Sequence, residues 1–111
     1  LYIINNQSFR EIKGDRMPVG ININYEKSFT SHQLKVQKGD VLYMFTDGYP
    51  DQFGGPQGKK FRYKYFKELL FSIFGSSMQH QKETMEQTFY KWKDDYEQLD
   101  DVLVMGIKID E

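Results

Sequence analysis

The sequence predicts an α+β domain, and three observations point there. Short apolar runs separated by turn residues fill the first half of the chain. Two stretches of helical periodicity follow together after residue 61, and one further apolar run closes the chain. Strands grouped with strands and helices with helices read as α+β. At 111 residues and 13.2 kDa the chain holds at most one domain. Nine Phe, eight Tyr and one Trp supply ample core material, which confines disorder to short loops.

The elements follow in order. "LYIINN" and "SFREI" flank a polar turn at Asn5-Asn6-Gln7 and predict a hairpin. In "DRMPVGI", Pro18 and Gly20 mark a bend or a sheet edge. "SFTSHQLKV" alternates at Phe29, Leu34 and Val36 with a break in register, a further strand. "QKGD" at 37–40 is a tight turn in which Gly39 takes positive φ. "VLYMF" is a continuous apolar run, the pattern of a strand covered on both faces. From Phe61 onward, Phe66, Leu69, Leu70, Ile73 and Phe74 fall on one helical stripe that stops at Gly75. Ser76 with Gln79 forms a capping box for a second helix, whose Met78, Met85, Phe89 and Trp92 share a side. The terminal "DDVLVMGIKI" is the last strand. It belongs beside "VLYMF", because these two runs are the most apolar and both need covering.

Composition removes several function classes. A net charge of −1 and a pI near 6.2 lack the basic excess of a nucleic-acid binder. No apolar stretch approaches the roughly 20 residues of a membrane span. Without cysteine there is no disulfide, zinc–thiolate site or thiol nucleophile, so a metal would sit on oxygen ligands, which suits Mg, Mn or Ca. No signal peptide is visible and residue 1 is Leu, as expected of a segment of a longer chain.

The chemistry concentrates at two acidic points. Asp47 closes one apolar strand and is followed by Gly48, while Asp100-Asp101 opens the other. Were the two strands antiparallel neighbours, Asp47 and Asp100 would converge at one rim of the sheet. Two close carboxylates repel unless a cation lies between them, and a divalent ion meets that need. Gly48, lacking a side chain, would let backbone and water approach such an ion. An Asp-Gly pair is also an ordinary turn, and Asp-Asp an ordinary loop; the residues alone leave both readings standing. The stretch "GKKFRYKYFK", with Lys59, Lys60, Arg62, Lys64 and Lys67, reads either as the solvated face of a helix or as a contact for a phosphorylated partner or a nucleic acid. His32 and His80 are surface or capping residues, Asp94, Asp95 and Glu97 an exposed helix end, and "DQFGGPQG" a mobile loop at the rim.

Taken together, "KGDVLYMFTDGYPDQFGG", the basic amphipathic helix and "QLDDVLVMGIKI" resemble the SpoIIE-like branch of the metal-dependent (type 2C, PPM) serine/threonine protein phosphatases. The resemblance covers nearly the whole chain. "DRMPVGI" is similar to the family's Pro-hydrophobic-Gly stretch. The resemblance implies the carboxyl-terminal part of an α-β-β-α sandwich, spanning residues 1–111. It implies that Asp47 and Asp100 are metal ligands with Gly48 and Asp101 as neighbours, and that no side chain acts as a covalent nucleophile. The family's early Asp-Gly-x-Gly motif is missing, so half of the site would lie in an amino-terminal half outside this sequence.

The intact domain would use two Mn or Mg ions to activate water against phosphoserine or phosphothreonine. The implied setting is a bacterial signalling protein with upstream sensor or repeat domains, cytoplasmic or the cytoplasmic part of a membrane-anchored sensor. Its substrate would be a regulatory phosphoprotein such as an anti-sigma factor antagonist. This stretch alone would be inactive, and its uncovered sheet face would favour self-association. The alternatives are a non-catalytic protein-interaction module of the same fold and an unrelated Ca- or Mg-binding β-rich domain.

Overall fold

A computed structural model describes residues 1–6, 8–13 and 35–110. "DRMPVGI", most of "SFTSHQLKV" and His32 lie outside the described residues. Strands β1 (Tyr2–Ile4) and β2 (Phe9–Glu11) pair antiparallel as the expected hairpin, with Tyr2 opposite Glu11. The Asn5 side chain accepts the Ser8 amide at 2.8 Å, an Asx contact that closes the connection.

Strand β3 (Val41–Phe45) lies antiparallel to β1 on one side and to β6 (Val104–Lys108) on the other. The sheet order is β2-β1-β3-β6, so the two most apolar runs are neighbours, as expected. The "QKGD" turn feeds β3 with Gly39 at φ 93. It is fastened to the end of β6 by Gly39 N–H to Ile109 O (2.8 Å) and Ile109 N–H to Asp40 O (2.9 Å).

Helices α1 (Tyr63–Ile73) and α2 (Met78–Lys93) pack on one face of this sheet. Phe66, Leu70 and Ile73 of α1 and Met85 and Phe89 of α2 meet Tyr2, Ile4, Val41 and Tyr43 in a single core. Aromatic rings dominate it. Phe45 meets Tyr2 in a tilted pair and Phe66 edge-on, at centroid distances of 4.7 Å each, and Tyr49 meets Phe66 at 5.2 Å and Phe89 at 5.0 Å. Such pairs contribute about 0.5–1.5 kcal/mol each beyond the area they bury. Two buried phenols find partners: Tyr43 Oη donates to Gln81 Oε1 (2.6 Å) and Tyr49 Oη to Met85 O (2.8 Å). Burial raises the pKa of both phenols.

Three expectations need correction. β3 is not covered on both faces: Val41 and Tyr43 are buried, but Met44 is 45% exposed. The helices cover one side only, and Met105 and Ile107 of β6 continue the open apolar stripe at 46% and 42%. The second helix is capped one residue later than expected. Ser77, not Ser76, accepts the His80 amide at 3.1 Å, and Gln79 turns to Glu83 instead of closing a capping box. Both serines suit a cap, and the chain takes the one that leaves the Ser76 amide to close α1 onto Ile73 O at 2.9 Å. Finally, "DQFGGPQG" is not a bare loop. It contains β4 (Phe53–Gly54), which pairs antiparallel with β5 (Lys59–Lys60) just beyond it. Trp92 clamps it: its indole Nε1–H donates to Gln52 O at 2.9 Å, and Gly55 N–H donates to Trp92 O at 2.9 Å.

Candidate metal centre

The segments Asp47-Gly48 and Asp100-Asp101 meet at one rim of the sheet. The ladder between β3 and β6 ends at Phe45 opposite Val104, so the next residues of each strand emerge side by side. Thr46 continues the pairing beyond the strands: its amide donates to Leu103 O at 3.0 Å. Its hydroxyl donates to Asp101 O at 2.8 Å and accepts the Leu103 amide at 3.0 Å. Gly48 is buried directly against this segment, where a Cβ would fall 2.2 Å from Asp101 O. Only glycine permits that approach. Both Asp47 and Asp100 are exposed, and Asp100 Oδ1 accepts the Asp101 amide at 3.0 Å, which orients its carboxylate.

The turn after Asp47 folds back on itself, with Asp51 N–H donating to Asp47 O at 2.9 Å. A shallow depression of about 160 Å³ opens beside it, lined by Gly48, Asp51, Lys60, Glu97 and Asp100 among others. The Lys60 ammonium lies 3.7 Å from Asp51 across its edge. Asp51, expected in a loop at the rim, and Glu97, expected at an exposed helix end, are both acids of this depression. Their approach depends on the β4–β5 hairpin and on Gln52, whose side-chain amide donates to Glu97 O at 3.0 Å.

Sequence reasoning also missed Tyr63. It opens α1, and its hydroxyl donates to Asp47 Oδ1. Tyr63, Phe66, Leu70 and Ile73 form one stripe, so extending the apolar periodicity one turn backward would have aimed Tyr63 at the end of β3. Burial, then the hydrogen bond and the negative charge of Asp47, push the phenol pKa well above its ordinary value. The start of α1 is fixed by the backbone: Arg62 N–H donates to Pro50 O at 2.7 Å and Phe61 N–H to Gln52 O at 2.9 Å. Arg62 adopts φ 79 and ψ 153, a region almost reserved for glycine that costs about 1–3 kcal/mol.

The donor chemistry at the rim is that of a hard cation: carboxylates and a backbone carbonyl, with no thiolate. Among the described residues no three His, Cys, Asp or Glu gather as a group that could hold a metal ion. His80 takes no part; its ring lies on α2, 3.4 Å from the Thr84 hydroxyl. Among the described residues no helix is long and apolar enough to cross a membrane.

A search of curated proteins finds no match to this chain. Among solved structures, the SiaA-PP2C domain of Pseudomonas aeruginosa is similar, with a TM-score of 0.83 at 24% identity over 98% of this chain. This chain spans 42% of that one. The α+β arrangement of antiparallel strands and two helices is thus that of part of a PP2C-like fold. The family model for stage II sporulation protein E matches residues 1–110, and the chain belongs to the SpoIIE family.

Proposed function

We propose that this chain is the carboxyl-terminal part of a metal-dependent serine/threonine phosphatase domain, acting on a regulatory phosphoprotein. The observation that carries the reading is the abutment of Asp47-Gly48 on Asp100-Asp101 at the end of an antiparallel strand pair. Asp47 and Asp100 would hold Mn or Mg, with Gly48 and Asp101 as backbone neighbours. When bound, such ions supply an acidified water and neutralise charge developing on the phosphoryl group.

The chain's own residues do the rest. Thr46 fixes the spacing of the two acidic loops by bonding to both sides of the second. Gly48 keeps the floor of the rim free of side chain, and Tyr63 engages Asp47. No side chain here forms a covalent intermediate. With two carboxylates from this part, the shell is completed by an amino-terminal half, and residues 1–111 alone are inactive. The setting that fits is a bacterial signalling protein, cytoplasmic at this domain, with sensor or repeat domains upstream and a partner such as an anti-sigma factor antagonist.

Phosphopeptide hydrolysis by the full-length protein, titrated with Mn, tests this. Asp47→Asn and Asp100→Asn are each expected to lower the rate at least 100-fold, on the order of a lost ligand. Wild-type rates in both variants would falsify the catalytic reading. A second reading, a non-catalytic interaction module, draws support from the open apolar stripe of Met44, Met105 and Ile107. It predicts no hydrolysis by the full-length protein at any Mn concentration, whereas self-association of residues 1–111 is expected on either reading.

A further inference from the structure

We propose that Tyr63 is a positioning residue for Asp47, holding one carboxylate oxygen so that the other is presented to the cation; this rests on the metal reading of Asp47 given above. Among the described residues, the Tyr63 hydroxyl is the side-chain group bonded to that carboxylate, and it engages Oδ1. Its aim is set by the backbone and not by its own flexibility. Tyr63 is the first residue of α1, and the preceding Phe61 and Arg62 amides are fastened to Gln52 O and Pro50 O. Pro50 and Gln52 belong to the turn that Asp47 itself begins, closed by Asp51 N–H on Asp47 O. The donor and the carboxylate are therefore mounted on one continuous hydrogen-bonded frame. Beneath the ring, Phe45 lies at a centroid distance of 6.5 Å.

An exposed carboxylate gains little stability from one more neutral donor, because water serves it as well. What the contact changes is freedom: an Asp side chain with a fixed partner keeps a single orientation. Carboxylates that ligate metals are themselves hydrogen-bonded, and removal of that partner costs about 10–100-fold in affinity. The strained backbone of Arg62, one residue before Tyr63, is consistent with a helix start dictated by where its first side chain must point.

The test uses the full-length protein and Mn²⁺ alone, with free Mn²⁺ followed by electron paramagnetic resonance and the metal-free melting temperature measured in parallel. Tyr63→Phe keeps the ring and removes the donor. The expected result is an Mn²⁺ Kd raised about 10-fold with metal-free melting unchanged, and Asp47→Asn weaker still. An unchanged Kd in Tyr63→Phe, where Asp47→Asn has lost affinity, overturns the positioning role and leaves the metal reading intact. A weakened Kd accompanied by an equally lowered metal-free melting temperature also overturns it, by assigning the hydroxyl to stability. Wild-type affinity in Asp47→Asn defeats the metal reading itself, and this inference with it.

Discussion

Thr46 and Asp101 are joined side chain to main chain across the last step of the β3–β6 pair. One hydroxyl donates to the Asp101 carbonyl at 2.8 Å and accepts the Leu103 amide at 3.0 Å. The link does what the ladder no longer can, since regular pairing ends at Phe45 opposite Val104. Thr46→Val keeps the shape and removes both bonds. The loss of two hydrogen bonds predicts a destabilisation of about 1–3 kcal/mol by urea denaturation. Thr46→Ser, which retains the hydroxyl, is expected to recover most of it. Equal midpoints for wild type and Thr46→Val would show that the rim does not depend on this hydroxyl.

Gly48 faces the same segment from the other side. An added methyl would sit 2.2 Å from Asp101 O and 3.1 Å from Val102 Cγ2, and the first of these is main chain that cannot swing away. Gly48→Ala must therefore push the two acidic loops apart. Overpacking of this kind costs about 1–3 kcal/mol. The expected outcome is a lowered melting temperature together with weakened Mn²⁺ binding in the full-length protein, because both acidic loops shift. Thermal melting and metal titration on the same sample check it; a variant as stable and as avid as wild type would rule out close packing at Gly48.

The parts of this arrangement that were legible in the sequence are those fixed by local pattern. "VLYMF" and "VLVMGIKI" announce strands by apolar run length, although β6 begins only at Val104, and their antiparallel pairing sets Gly48 against Asp101. The hairpin of β4 and β5 was illegible, because two-residue strands have no periodicity; Trp92, about forty residues on from Gln52, holds them. The Ser76-for-Ser77 error has the same character, since adjacent serines cap equally well until the preceding helix end chooses. Tyr63 was lost among basic and aromatic neighbours, although its place on the Phe66–Leu70 stripe was readable. The exposed outer face of β3 was misjudged because an unbroken apolar run looks alike whether the second layer is present or not.

Asp40 is a buried acid away from the rim, and it makes the sheet sensitive to pH. Its side chain is 1% exposed, accepts the Asn5 amide nitrogen at 2.7 Å and the Gln37 main-chain amide at 2.8 Å, and has Arg10 at 3.6 Å. The Asn5 hydrogen bond first, then that from Gln37, hold its pKa below the ordinary 3.8 despite burial, with Arg10 adding least. A carboxyl group whose pKa is depressed by folding stabilises the native state above its unfolded pKa. That contribution disappears as pH falls through the lower, folded value. Wild-type stability is therefore expected to be level near neutrality and to fall below about pH 4. Asp40→Asn sets an amide group against the Gln37 N–H, so it should be less stable than wild type at pH 7. Because this position no longer titrates, its profile should be flatter below pH 4, and the two curves should converge in acid. Asn5→Ala should cost more than Arg10→Ala, whose guanidinium is 40% exposed and screened by solvent. Urea denaturation at a series of pH values measures all four proteins; parallel pH profiles for wild type and Asp40→Asn would remove Asp40 as the source of the acid sensitivity.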